Sequence, residues 1–158
     1  MLRCLFMNND DLKILGKKIN EFNKLYKDYK TNNKIDELEL KEIIYDILNH
    51  FEICLKGVNN LNKEDIKIIS AIKYANNIKK HSKSIFDHTL KTLALYPSDN
   101  LYPSDSLYPS EFKIWWNDLP LDSSKYVLQY KNYNNYLKNK DVYKTINEIY
   151  KIIKINYT

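Results

Sequence analysis

Leu12-Lys13-Ile14-Leu15-Gly16-Lys17-Lys18-Ile19-Asn20-Glu21-Phe22-Asn23-Lys24-Leu25-Tyr26-Lys27-Asp28-Tyr29 sets Leu12, Leu15, Ile19, Phe22, Tyr26 and Tyr29 at intervals of 3, 4, 3, 4 and 3 residues. That spacing keeps six apolar side chains on one face of an α-helix, so a helix is predicted from Asn8 to Tyr29, with Asn9 and Asp10 as capping residues. The polar run Lys30–Lys34 ends it. The same rule predicts a second helix from about Ile35 to Leu55, with Leu40, Ile43, Ile44, Ile47, Phe51 and Cys54 inward and Gly57 as its C-terminal cap. A third opens at Asn62-Lys63-Glu64-Asp65 and carries Ile66, Ile69, Ile72, Ala75, Ile78, Ser82 and Ile85 or Phe86 inward, running to about Leu93. A fourth starts near Ser123 or Ser124 with Tyr126, Val127, Tyr130, Tyr133 and Leu137 inward and Tyr136 exposed. A fifth starts near Lys140 with Val142, Ile146, Ile149, Tyr150 and Ile153 inward. No sustained strand alternation is read. The expected fold is all-α: one helical domain over residues 1–158, a bundle of about five helices.

Between the third and fourth helices the chain repeats itself. Leu95-Tyr96-Pro97-Ser98-Asp99-Asn100 recurs as Leu101-Tyr102-Pro103-Ser104-Asp105-Ser106 and again as Leu107-Tyr108-Pro109-Ser110-Glu111-Phe112. A proline every six residues forbids a continuing helix, so 95–111 is predicted as an extended loop. Two readings stand side by side. The loop is an arm that presents Tyr96, Tyr102 and Tyr108, with Trp115 and Trp116, to a protein partner or a second copy, or it is a duplicated connection tolerated at the surface. Phe112, Ile114, Trp115 and Trp116 are core or interface anchors, because their area is costly to leave in water.

Composition removes several function classes. The chain has 158 residues and only two glycines, Gly16 and Gly57, so a phosphate-cradling loop or dinucleotide fingerprint is absent. Cys4 and Cys54 stand far apart, with no metal-ligand spacing and no disulfide framework, which fits a reducing cytoplasmic setting. No cofactor and no metal is expected. No apolar run is long enough for a membrane span, and Met1–Met7 is too short for a signal peptide. Lysine and arginine total 25 for a net charge of +5, yet the single arginine is Arg3. Asn, Ile, Lys and Tyr are abundant together, as A/T-rich codons also dictate, so the total charge says little about a partner. Its placement says more. Residues 63–91 hold seven lysines against three acids, whereas 34–52 hold two lysines against six acids. The second and third helices therefore attract each other, or the basic one meets phosphate.

Histidines number three: His50, His81 and His88. On a helix running to Leu93, His81 and His88 would share a face, seven residues apart, which is the wrong spacing for metal ligands. Cys54 lies on an apolar face, where a thiol is inert. What remains is His81 in the run Lys73-Tyr74-Ala75-Asn76-Asn77-Ile78-Lys79-Lys80-His81-Ser82-Lys83.

That run resembles the HEPN family of small all-α bundles, whose motif is Arg-Asn, a short variable spacer and His. Asn77 and His81 match its second and last positions, and Asn76 stands where the arginine would be. The resemblance covers the third helix. It implies a homodimer with two such helices facing across a cleft, and a metal-independent endoribonuclease or a degenerate inactive relative. It also implies a bacterial or phage defence or toxin–antitoxin setting, with an antitoxin or host protein as a further partner. By that likeness His81, Asn76 and Asn77 are catalytic, and Lys73, Lys79, Lys80 and Lys83 contact single-stranded RNA. An asparagine amide does not replace the fixed, charged fork of a guanidinium. The competing expectation is a non-catalytic helical interaction protein, a phage-encoded inhibitor or adaptor, acting through the Tyr-Pro arm and Trp115/Trp116. The two differ in whether the chain meets RNA at His81.

Overall fold

A computed structural model describes residues 9–32, 34–81, 84–92 and 110–158. Among these residues the chain forms five α-helices and one small antiparallel sheet: α1 (Asn9–Asn32), α2 (Glu37–Leu55), α3 (Lys63–Lys79), β1 (Phe86–Thr92), β2 (Ser110–Trp116), α4 (Val127–Tyr136) and α5 (Val142–Asn156). A single 3-10 turn, Ser124–Tyr126, leads into α4. No helix among the described residues is long and apolar enough to cross a membrane.

The helical repeats place the core as their spacing dictates. Leu15, Ile19, Phe22, Tyr26 and Tyr29 of α1 are buried with Leu40, Ile44, Ile47, Phe51 and Cys54 of α2 and Val142, Ile146, Ile149 and Ile153 of α5 in one cluster. The starts of α2, α3 and α5 are fixed by side chains: Asp36 accepts from the Glu39 N–H, Asn62 from the Asp65 N–H and Asp141 from the Lys144 N–H. Each cap satisfies an amide that the first helical turn leaves without a partner. Lys18 pairs with Asp46 to tie α1 to α2, and the Asn23 and Asn147 amides exchange hydrogen bonds between α1 and α5.

The fold departs from the all-α expectation between α3 and α4. The third helix stops at Lys79, where the Lys80 N–H closes the last turn on Asn77 and Ile78. The run Lys79-Lys80-His81-Ser82-Lys83-Ser84 offers nothing apolar to bury, so helix there has no packing to sustain it. Phe86 onward is strand, and His88 sits on β1, so His81 and His88 share no helix. Pairing runs from Phe86 opposite Trp116 to Thr92 opposite Ser110, so the strand claims the last residues of the expected 95–111 loop. Phe112, Ile114 and Trp116 are buried while Glu111, Lys113 and Trp115 are not, a period of two. On the far side of β2, the Trp116 N–H donates to Lys140 and the Asn139 N–H donates to Trp116. Asn139 turns there at φ 63°, in the left-handed region that asparagine tolerates. Rings seal the sheet to α1: Tyr26 and Tyr29 lie 5.3 and 5.6 Å from Phe112, and Tyr26 stacks on Tyr143 of α5 at 4.0 Å.

Smaller corrections have local causes. Gly57 is no left-handed cap, since Lys56 ends α2 in ordinary helical geometry. Glycine is needed there because the Tyr157 ring lies 2.6 Å from where a Cβ would sit. Ile66 is 53% exposed in the first turn of α3, on a face that no described element covers, and Val127 is 44% exposed in the first turn of α4. Of the tyrosines on α4 and the turn that leads into it, Tyr133 is buried, whereas Tyr126, Tyr130 and Tyr136 are half-buried.

Candidate nucleic-acid groove

Helix α3 is buried on most of its circumference, with Ile68, Ile69, Ala71, Ile72, Tyr74, Ala75, Asn76 and Ile78 all inside. One stripe stays open. Lys73, Asn77 and Lys80 follow one another at intervals of four and three residues, so they share that face. Lys73 and Asn77 floor an open groove of about 450 Å³, walled by Glu52 and Leu55 of α2, by Lys56 just past its end and by Gln129 of α4. Lys73 and Asn77 thus meet two side chains, Lys56 and Gln129, that sequence reasoning did not single out. No local pattern flags either: each reaches the groove only because α2 and α4 flank α3.

His81 lies just beyond the helix, its N–H bonded to the Ile78 carbonyl at 3.0 Å. Its imidazole is 57% exposed, and Nε2 stands 3.4 Å from Oδ2 of Asp122. Asp122 is held in place by α3 itself. The Tyr74 hydroxyl donates to the Pro120 carbonyl and accepts from the Asp122 N–H at 3.2 Å. Burial raises the Tyr74 phenol above its usual range, so it stays a protonated donor. Tyr74 and Asp122 are the positioning pair that the sequence reading missed. In the sequence the aspartate stands out only as the residue before a helix cap.

The remaining site residues separate into different surroundings. Asn76 is 1% exposed, and neither atom of its amide finds a hydrogen bond, so it faces the interior and not the groove. Lys79 turns toward α2, where its ammonium donates to the Tyr45 carbonyl at 3.0 Å and to Asn49. It also lies 5.4 Å from the Tyr45 ring centre. Burial lowers its pKa to about 8. Lys80 contacts Glu52 at 3.7 Å, the ion pair in which the opposite charges of α2 and α3 meet. Lys83, Tyr96, Tyr102 and Tyr108 lie outside the described residues. Trp116 is wholly buried and donates from Nε1 to Thr145 at 2.7 Å, which makes it a core anchor and not an exposed contact. Trp115 is half-buried on the opposite face of β2.

Chemically, the arrangement offers two cations, two amide side chains and one carboxylate, Glu52, which is paired with Lys80, in a groove, and an exposed imidazole with a carboxylate beside it. Lysine meets phosphate as a point charge, and an amide both donates and accepts. A carboxylate next to an imidazole stabilises the charge that the ring gains on taking a proton. Comparison with known proteins finds no family model, no curated protein and no solved structure that matches this chain.

Proposed function

We propose that this chain is a HEPN-like RNA-binding protein that holds single-stranded RNA in the α3 groove and cleaves it slowly without metal. One observation carries the reading. The solvent-open stripe that bears Lys73 and Asn77 leads to an exposed His81 with Asp122 at 3.4 Å. In this reading Lys56 and Lys73 meet phosphates, and Asn77 and Gln129 meet ribose or base edges. His81 takes the proton of a ribose 2′-hydroxyl, whose oxygen then bonds to the adjacent phosphorus. The bond from that phosphorus to the 5′-oxygen breaks, and that oxygen takes a proton from water, which leaves a 2′,3′-cyclic phosphate and a 5′-hydroxyl. Asp122 holds the resulting imidazolium.

Asn76 plays no part in this scheme, because its side chain is enclosed. The charge that builds on the phosphate is left to lysine, which lacks the two-pronged geometry of arginine, and the reaction is slow for that reason. The test is incubation of the purified chain with a labelled RNA in chelator. Cleavage that ends in a cyclic phosphate and disappears both in His81→Ala and on a 2′-deoxy substrate is expected. General-base catalysis contributes about 10²–10⁴-fold, so residual cutting by His81→Ala should fall at least about a hundredfold. Full activity in that variant removes His81 from the mechanism.

A further inference from the structure

One wall of the α3 groove carries a charge of the wrong sign for a polyanion. Of the side chains that line it, Lys56 and Lys73 are cations, Asn77 and Gln129 are amides, Leu55 is apolar and Glu52 is a carboxylate. Lys56 follows Glu52 by four residues, so the two stand on one face at the end of α2. Among the described residues the Glu52 carboxylate makes no hydrogen bond. Its ion pair is with Lys80, whose Nζ lies 3.7 Å from Oε2, and the side chains of Glu52 and Lys80 are 37% and 54% exposed. A pair this exposed adds little to stability. The carboxylate, in contrast, repels every phosphate that enters the groove. What it offers in return is two acceptor oxygens and no donor.

Single-stranded RNA presents the Watson–Crick edges of its bases to such a group. Guanine alone among the four sets two donors side by side on that edge, N1–H and the N2 amino group, and one carboxylate accepts from both. Adenine and cytosine each set an acceptor nitrogen beside their amino group. Uracil flanks its single N–H with two carbonyls. Each of these three brings a lone pair against the carboxylate. The rest of the groove suits one base: Leu55 gives it an apolar neighbour, and Lys56 and Lys73 meet the phosphates on either side. A volume of about 450 Å³ is that of a small-molecule site.

We propose that Glu52 makes the α3 groove selective for guanine, by accepting from N1–H and the N2 amino group of one unstacked base in a single-stranded RNA. The inference rests on the RNA reading of the groove and adds to it the base that the groove selects. Because the carboxylate has no hydrogen bond to give up, guanine gains both contacts without breaking one.

Fluorescence titration of the full chain in chelator tests it, with a short oligouridine RNA and with the same RNA carrying one central guanosine, adenosine, cytidine or inosine. Inosine is guanosine without the N2 amino group, so it removes one of the two donors and nothing else. The guanosine RNA is expected to bind on the order of tenfold tighter than the uridine, adenosine and cytidine RNAs, as a good bidentate base contact gives. The inosine RNA should lose most of that advantage. Glu52→Gln keeps the shape and removes the charge, so it should bind oligouridine at least as tightly as the wild type and show no preference for guanosine. A merely structural role for Glu52 would instead weaken binding to all five RNAs alike, which overturns the inference. Equal binding of the five by the wild type, or a guanosine preference that survives Glu52→Gln or inosine replacement, also overturns it; where that binding still depends on Lys56 and Lys73, the groove reading stands by itself. Absence of binding to every one of the RNAs overturns both.

Discussion

On burial the Asn76 side chain gives up its water at both amide atoms and gains no hydrogen bond in return. An unmade buried hydrogen bond costs about 1–3 kcal/mol. Asn76→Leu, of similar volume, should therefore stabilise the chain by about 1 kcal/mol or more in urea denaturation while leaving RNA binding intact. A fall in the midpoint would show that the amide is paired in solution. Asn76 and Asn77 also mark how far single residues can be read. A helix turns about 100° per residue, so adjacent asparagines cannot both face the same way. The identity of the pair does not say which is buried. That depends on where α4 packs, and α4 is some fifty residues away in sequence. His81 was legible because its chemistry is rare in this chain. Its partner Asp122 was not, because only the fold brings Tyr74 under the loop that carries it.

Among the elements, the helices were written in their own spacing, and α1, α2 and α5 fall within a few residues of the expected bounds. The hairpin was harder. β2 announces itself through Phe112, Ile114 and Trp116, but its period of two lasts for three turns of the pattern only and sits directly behind the proline repeat. β1 reads poorly because His88 lies seven residues after His81, a spacing that a helix also satisfies. One tie between the hairpin and the bundle is the Trp116 indole, whose N–H reaches Thr145 of α5. Thr145→Val should remove the acceptor, strand that donor in the core and cost about 1–3 kcal/mol. Thr145→Ser keeps the hydroxyl and should cost less. Chemical denaturation of the two variants separates them, and equal losses would mean that the methyl group and not the hydrogen bond matters.

For the whole molecule, burial of a few titratable groups sets the pH range of stability. Lys79 is held at about 8, below its usual 10.5, so the unfolded chain binds more protons between these values and stability rises with pH. Cys54 and Tyr29 act in the opposite sense. Burial raises the thiol from 9.0 to about 11 and the phenol from 10.0 to about 12, so stability falls as pH climbs above 9 and 10 respectively. Thermal denaturation should show a rise from pH 8 to 9 that Lys79→Met removes, then a decline above pH 10 as the thiol and buried tyrosines are forced to ionise. A wild type that loses stability from pH 8 to 9 would contradict this. The net charge of +5 says less than its distribution, since Lys79 and Lys80 are engaged with α2 while Lys56 and Lys73 line the open groove. The groove is therefore where the account stands or falls, and titration of a fluorescent single-stranded RNA in chelator at several salt concentrations tests it most directly. Binding that weakens with salt, with a slope of about −0.7 for each phosphate contact, and that falls on the order of tenfold in Lys56→Glu/Lys73→Glu is the predicted result. Absence of binding at low salt, or binding that the double substitution leaves unchanged, would contradict it.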